Sequence, residues 1–309
     1  MTPQLIRRFA WFLAGLGSLL LLPQCSKPLN PLTNYNYTIT ALWGTSGRNV
    51  LAASDLGLIL HYDGRTWRSG VARDIGFVNG MWGSSSSDVF AVGGVAGRGR
   101  IEHFNGHTWT IQYDSAPENL LGVWGSSPSD VFAVGFFGTI LHYDGSAWSD
   151  QSIGTAGHLN GVWGSSGHDV FAVGDSILHY DGAHWTGQPG TRFGLMGVWG
   201  SSGSDIFAVG VIGTIVHYDG SHWSVQTMGS ETSENLFAVW GSSGHDVFAV
   251  GAYGRILHYD GTRWSEQSSG TAEHLYSVWG SSPRDVFVGG FNHPILHYDG
   301  NTWSIQPVP

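Results

Sequence analysis

Val123-Trp124-Gly125-Ser126-Ser127-Pro128-Ser129-Asp130-Val131-Phe132-Ala133-Val134-Gly135, continued by Ile140-Leu141-His142-Tyr143-Asp144-Gly145 and Trp148, is the stretch that decides the fold. Leu120 to Trp124 is a short apolar run, and Asp130 to Val134 is β-branched and aromatic, as suits a pleated, buried strand. Between them, Gly125 to Ser129 is turn chemistry. Phe136-Phe137-Gly138 leads into a third run, Thr139 to Tyr143. Asp144-Gly145 is a hairpin signal, because both residues tolerate positive φ, and a fourth strand is expected around Trp148 to Gln151. No segment carries helical periodicity over a useful length. The unit reads as four antiparallel strands, A to D.

The same unit recurs along the chain. Its first Trp falls at Trp43, Trp82, Trp124, Trp163, Trp199, Trp240 and Trp279, and its second at Trp67, Trp109, Trp148, Trp185, Trp223, Trp264 and Trp303. Spacings between first tryptophans run from 36 to 42 residues. A single four-stranded unit of this kind has two apolar faces and cannot cover both. Seven arranged radially cover each face with the next, and four to eight units close a ring. The expected fold is all-β, a seven-bladed β-propeller over residues 37–309. Blade 1 begins with strand A and blade 7 ends with strand D, so the ring is expected to close by packing of one on the other. Two residues before each first Trp stands a small residue: Ala41, Gly80, Gly122, Gly161, Gly197, Ala238 or Ser277. Strand A is therefore placed nearest the axis, where backbones approach closely.

The run Ala-Val-Gly-x-x-Gly-x-Ile-Leu-x-x-Asp-Gly-x-x-Trp resembles the repeats of BNR/Asp-box propellers and photosystem II assembly-factor-like repeats, over residues 37–309. The turn here is shorter than the usual Asp-x-Gly-x-x-Trp box. Sialidases of the BNR class use three arginines and a tyrosine nucleophile, and no such cluster can be placed on this chain.

Residues 1–25 read as a targeting segment. Arg7-Arg8 form a positive start, and Phe9 to Leu22 is an apolar run of the length of a signal-peptide core, short for a membrane span of roughly 20 residues. Leu22-Pro23-Gln24-Cys25 holds the only cysteine, so no disulfide forms within one chain. A lone Cys after such a run resembles the lipobox of bacterial lipoproteins, which has a small residue where Gln24 stands. The resemblance implies acylation of Cys25 and a membrane anchor, with residues 26–36 as a tether; plain secretion and an uncleaved anchor are the alternatives. In each case the chain is expected to be exported, to the cell envelope or beyond.

Composition narrows the partners. Net charge is −10, with Lys27 the only lysine and thirteen basic residues in all, scattered along the chain. Nucleic acid, which is bound by clustered Lys and Arg, is discounted. The strand-C histidines His61, His103, His142, His179, His217, His258 and His297 invite a metal. Strand spacing keeps equivalent residues of neighbouring blades more than about 10 Å apart, too far for one ion. These histidines are assigned to structure, bonded to a neighbouring turn. So are the Asp residues after the Ser-Ser turn and those before the turn Gly, because Asp commonly bonds local backbone donors. No cofactor, metal or catalytic grouping is assigned.

Function should lie where the blades differ. The A–B and C–D turns are nearly uniform and emerge on one face; the B–C and D–A connections vary and emerge on the other. B–C tips carry Phe136, Phe137, Val211, Ile212, Tyr253 and Phe291, apolar where turns are normally polar. Three residues before the first Trp stand Thr40, Asn79, Leu121, Asn160, Met196, Phe237 and Tyr276. The ligand-binding rim is expected among Phe136, Phe137, Val211, Ile212, Tyr253, Phe291, Asn79, Asn160, Phe237 and Tyr276. Exposed aromatic surface suits a protein or the apolar face of a carbohydrate. The leading expectation is a non-catalytic cell-envelope binding propeller. A glycan-active, sialidase-like hydrolase and a structural spacer remain the alternatives.

Overall fold

The computed structural model describes residues 37–70, 76–155, 157–189, 194–226, 233–292 and 295–309. The expected leader with Cys25 and the tether lie outside the described residues. The described residues form seven four-stranded antiparallel sheets, each made of consecutive strands of a single repeat. Strand A of each sheet lies beside strand A of the next, and strand A of blade 7 (Leu275–Ser282) lies against strand A of blade 1 (Ile39–Ser46). This is a closed seven-bladed β-propeller, and it closes by packing, as the order of strands predicts. Tyr37 and Thr38 add no strand; the Thr38 N–H donates to Asp55 Oδ1 at 2.8 Å.

The period-2 alternation of a strand makes the two faces of a blade different and complementary. In blade 3, Trp124, Phe132 and His142 share one cross-strand row, and Gly125, Val131, Tyr143 and Trp148 the next. The first face of each blade meets the second face of its successor. Phe132 packs on Tyr180 and Trp185 of blade 4 at ring distances of 5.5 and 6.0 Å. The Trp163 indole sits over Gly200 of blade 5, where an added Cβ would stand 2.6 Å from the ring. The glycine after each first Trp thus leaves room for the preceding blade's indole. The same contact crosses the seam: Phe287 of blade 7 packs on Tyr62 and Trp67 of blade 1, and Trp279 covers Gly44. A face that fits a different face, repeated, generates a ring rather than pairs.

At the axis, the small residues of strand A explain the crowding. An added Cβ on Gly122 would lie 3.2 Å from Gly161 Cα, and one on Gly197 3.0 Å from Ala238 Cα.

Strand A is longer than the turn composition suggests. In blade 3 it runs Leu120–Ser127, so Gly125 to Ser127 belong to the strand and only Pro128-Ser129 turn. The cause is a bulge at Ser126, between the pairs Gly125↔Val131 and Ser127↔Asp130. It aims the Ser126 hydroxyl at Asp130 Oδ2, while Asp130 Oδ1 bonds His142 Nε2 at 2.6 Å. The His142 ring stacks on Phe132 at 4.3 Å. Asp stands in the middle of this Ser–Asp–His chain, so the histidine is not positioned to take the serine proton, as an acyl-transfer triad requires. In blade 1, Asn49 replaces the Asp, donating to Thr45 and bonding His61 Nε2 at 2.7 Å.

The C–D turns are Asx turns. Asp144 Oδ1 accepts from the N–H of Ser146 and of Ala147 at 2.8 and 2.9 Å, and from the Ser146 hydroxyl. These bonds favour the carboxylate and hold Asp144 down at about 2; at Asp260 the Thr262 hydroxyl and backbone donors do the same, also to about 2. Asp63, Asp181, Asp219 and Asp299 are lowered as well, by backbone donors and, for Asp219, first by Ser221. A carboxyl depressed in the folded state contributes stability that is full above its unfolded value near 4 and is lost as pH falls through the folded value. The melting temperature is therefore expected to fall between about pH 4 and pH 2. Blade 2 shows the neutral version, Asn105 Oδ1 accepting from His107 and Thr108 at 3.0 Å. Asp144→Asn with Asp260→Asn should flatten the acid limb of a calorimetric pH series. An unchanged limb would assign it to other groups.

Candidate functional site: the variable face

The B–C tips of blades 3, 5 and 6 fold as 3₁₀ turns, Phe136–Gly138, Val211–Gly213 and Ala252–Gly254. Each places its middle residue in left-handed backbone: Phe137 at φ 52°, Ile212 at 57° and Tyr253 at 56°. That conformation suits Gly or Asn, and a β-branched or bulky residue there is strained by about 1–3 kcal/mol. These side chains are also exposed, Phe137 by 58%, Ile212 by 48% and Tyr253 by 69%. Phe291, at the tip of blade 7, is exposed by 44%, with Asn292 beside it at φ 57°. Phe136 and Val211, by contrast, are half-buried beneath their tips. In blade 2 the hairpin extends to Val95 and Arg98, so its tip is Ala96-Gly97.

The strained tips are held from the next blade. The Phe137 N–H donates to His158 Nδ1 at 3.2 Å, that of Tyr253 to His274 Nδ1 at 3.0 Å, and that of Ile212 to Asn235 Oδ1 at 3.0 Å. His158, Asn235 and His274 each stand one residue before the first Leu of strand A. Accepting at Nδ1 leaves the proton of the neutral ring on Nε2. Aromatic rings gather on both histidines. His158 meets Phe136 and Phe137 at 4.7 and 5.1 Å, and His274 meets Tyr253 at 4.9 Å and Tyr276 and Phe237 at just over 6 Å.

The positions three before each first Trp are bulge residues. In blade 3 the pairs Gly122↔Val134 and Leu120↔Gly135 leave Leu121 unopposed, and the same irregularity recurs in the other blades. A bulge re-aims a side chain out of the two-face alternation. Here the side chains turn to the next blade. Asn79 Nδ2 donates to Leu120 O at 2.8 Å, and Asn160 Nδ2 to Leu195 O at 2.7 Å and toward Met196 Sδ. Phe237 stacks on Tyr276 at 5.0 Å.

The expected rim thus separates into four groups. Phe137, Ile212, Tyr253 and Phe291 form exposed tips, Phe136 and Val211 support them, and Asn79 and Asn160 staple neighbouring inner strands. Phe237 and Tyr276 join the blade 6–7 tip through His274. Sequence reading missed His158, Asn235 and His274. Their signal was a side-chain acceptor before the strand-A Leu that follows each apolar tip ending in Gly.

Burial holds the Tyr276 phenol above its usual value, and the negative charges of Asp55 and Glu273 add to that. Below the Tyr253 tip, Arg255 pairs with Glu234 at 2.8 Å and with Glu266 at 3.7 Å. Among the described residues, no group of three or more His, Cys, Asp or Glu is placed to hold a metal ion.

No protein-family model matches the chain, and neither does any curated protein. Solved structures do. YCF48 bound to D1 peptide aligns with a TM-score of 0.68 at 15% identity, covering 89% of this chain and 99% of that one. A catalytically inactive virginiamycin B lyase from Staphylococcus aureus, with quinupristin, aligns with a TM-score of 0.73 at 12% identity, over 85% of this chain and 95% of that one. The WD40 β-propeller domain of Doa1 also reaches 0.73 at 12% identity, over 88% and 94%. At these identities the likeness is one of fold, and the fold this chain shares with them is the β-propeller.

Proposed function

We propose that this propeller is a non-catalytic binding module that captures a segment of a protein partner on its variable face. The observation that carries the reading is the set of exposed apolar residues at Phe137, Ile212 and Tyr253, each in left-handed backbone and each tied to the following blade. Stability alone would favour Gly or Asn at such positions, and strain kept at an exposed tip is a mark of recognition. That a similarly folded protein, YCF48, is seen with a bound peptide is consistent with the choice of a protein segment over a glycan. We further propose that the chain is exported and anchored through an acylated Cys25, with residues 26–36 as tether.

The substitutions Phe137→Asn, Ile212→Asn and Tyr253→Asn, made together, test the reading. Asn accepts positive φ, so the variant should melt no lower than the parent. Its recovery of partner proteins from the cells that make it, measured by mass spectrometry after affinity purification, should fall at least about tenfold, because such anchors carry most of an interface's energy. Undiminished recovery of the same partners would refute the proposal.

A further inference from the structure

The tips do not share one electrostatic character. The Phe136–Phe137–His158 group of blades 3 and 4 has one carboxylate against it, Asp175, whose Oδ2 accepts the His158 N–H at 2.8 Å. The corner formed by blades 6, 7 and 1 combines an aromatic group with carboxylates. Tyr253 lies open to solvent, Phe237 and Tyr276 are stacked, and His274 stands between them and Tyr253. Asp55, on the B–C tip of blade 1, and Glu273, in the connection into blade 7, are both near enough to act on the Tyr276 phenol. Arg255, the cation of this corner, is largely buried and faces Glu234 and Glu266 together, so its own charge is more than offset. The corner is net negative, with the electron-rich face of a tyrosine open above it.

We propose that this corner receives a cationic side chain, arginine or lysine, of the captured protein segment. The idea rests on the binding role proposed above and names the chemistry of one of its subsites. A guanidinium or ammonium group is attracted to the negative face of an aromatic ring, and more strongly when carboxylates stand nearby in a partly dry site. Arginine fits best, since its planar group both stacks on a ring and donates along its edge. Asp55 already accepts the Thr38 N–H through Oδ1 and so is held in place at the mouth.

The test needs no knowledge of the natural partner. The probes are acetyl-Gly-Arg-Gly-amide and its neutral isostere acetyl-Gly-citrulline-Gly-amide, titrated into the whole protein with ring-labelled tyrosine. The resonances of Tyr253 and Tyr276 are assigned by Tyr253→Phe and Tyr276→Phe. The arginine peptide should shift both saturably, and the citrulline peptide should bind at least about fivefold more weakly. Asp55→Asn with Glu273→Gln should weaken the arginine peptide by about fivefold while leaving the citrulline peptide and the melting temperature unchanged, and raised salt should act in the same direction. Equal affinity for the two peptides, or absence of a saturable shift at either ring, overturns the inference. If that happens while the asparagine tip variant still loses its partners, the binding role stands and only the cationic subsite falls.

Discussion

Phe287→Ala is expected to lower the free energy of unfolding by about 3–5 kcal/mol, as for removal of a buried ring from a well-packed core. Phe287 is fully buried and meets Tyr62 and Trp67 of blade 1 as well as Trp279 and His297 of its own blade. It therefore sits on the seam between the last repeat and the first. In a closed ring the seam is an interface like the others, and Phe171→Ala, which removes the same contacts between blades 4 and 5, should cost about as much. Urea unfolding of the two variants, with Ile305→Ser on an exposed edge strand as reference, makes the comparison. Ile305 is 61% exposed, so its loss should stay within about 0.5 kcal/mol. A seam variant no weaker than this reference would mean that blades 7 and 1 do not pack as described.

The second large effect is expected from adding one carbon. Gly200→Ala places a Cβ 2.6 Å from the Trp163 ring and 3.0 Å from Asp205 O, and the indole lies within a packed interface. Overpacking of this kind costs about 1–3 kcal/mol. Its signature is coupling. Trp163→Leu alone should destabilise by leaving a cavity. Combined with Gly200→Ala, the total should fall short of the separate costs by at least about 1 kcal/mol, because the smaller side chain makes room for the methyl group. Strict additivity would show that Gly200 is required for some reason other than the indole above it. The same coupling is expected in every blade, since the glycine after the first Trp meets the preceding blade's indole all around the ring.

These effects share one cause, and it was largely visible in the chain. Trp, Phe and His fall on one parity of the repeat and Gly, Val, Tyr and Trp on the other, so the alternation alone assigns two unlike faces to every blade. The small residue two before each Trp likewise announced crowding at the axis. The reading of the strand-C histidines and the turn aspartates as structural also agrees with their observed bonds. What the repeat concealed were the two bulges in strand A. A bulge is an insertion in one strand relative to its partner, so it has no mark in the strand's own composition. One bulge extends strand A and turns Ser126 and its counterparts toward the Asp–His pair. The other swings Phe237, Tyr276, Asn79 and Asn160 toward the next blade.

The candidate site divides in the same way. That the B–C tips are apolar, and that they share a face with the D–A connections, follows from residue type and strand direction alone. The division of labour among them does not. Asn79 and Asn160 were placed in the expected rim, and each donates to a backbone carbonyl of the next blade. His158, Asn235 and His274 looked like ordinary loop residues, yet each holds the strained tip of the preceding blade.

Sequence by itself determined the number of blades, the four strands in each and the face on which the variable connections gather, because these depend on the parity and period of local residue pattern. Tertiary structure alone decided which variable residues stand exposed, which brace them, and where carboxylates meet aromatic rings. Those outcomes depend on contacts between repeats some 20 to 40 residues apart or across the seam, and nothing in the local pattern of either partner encodes the meeting.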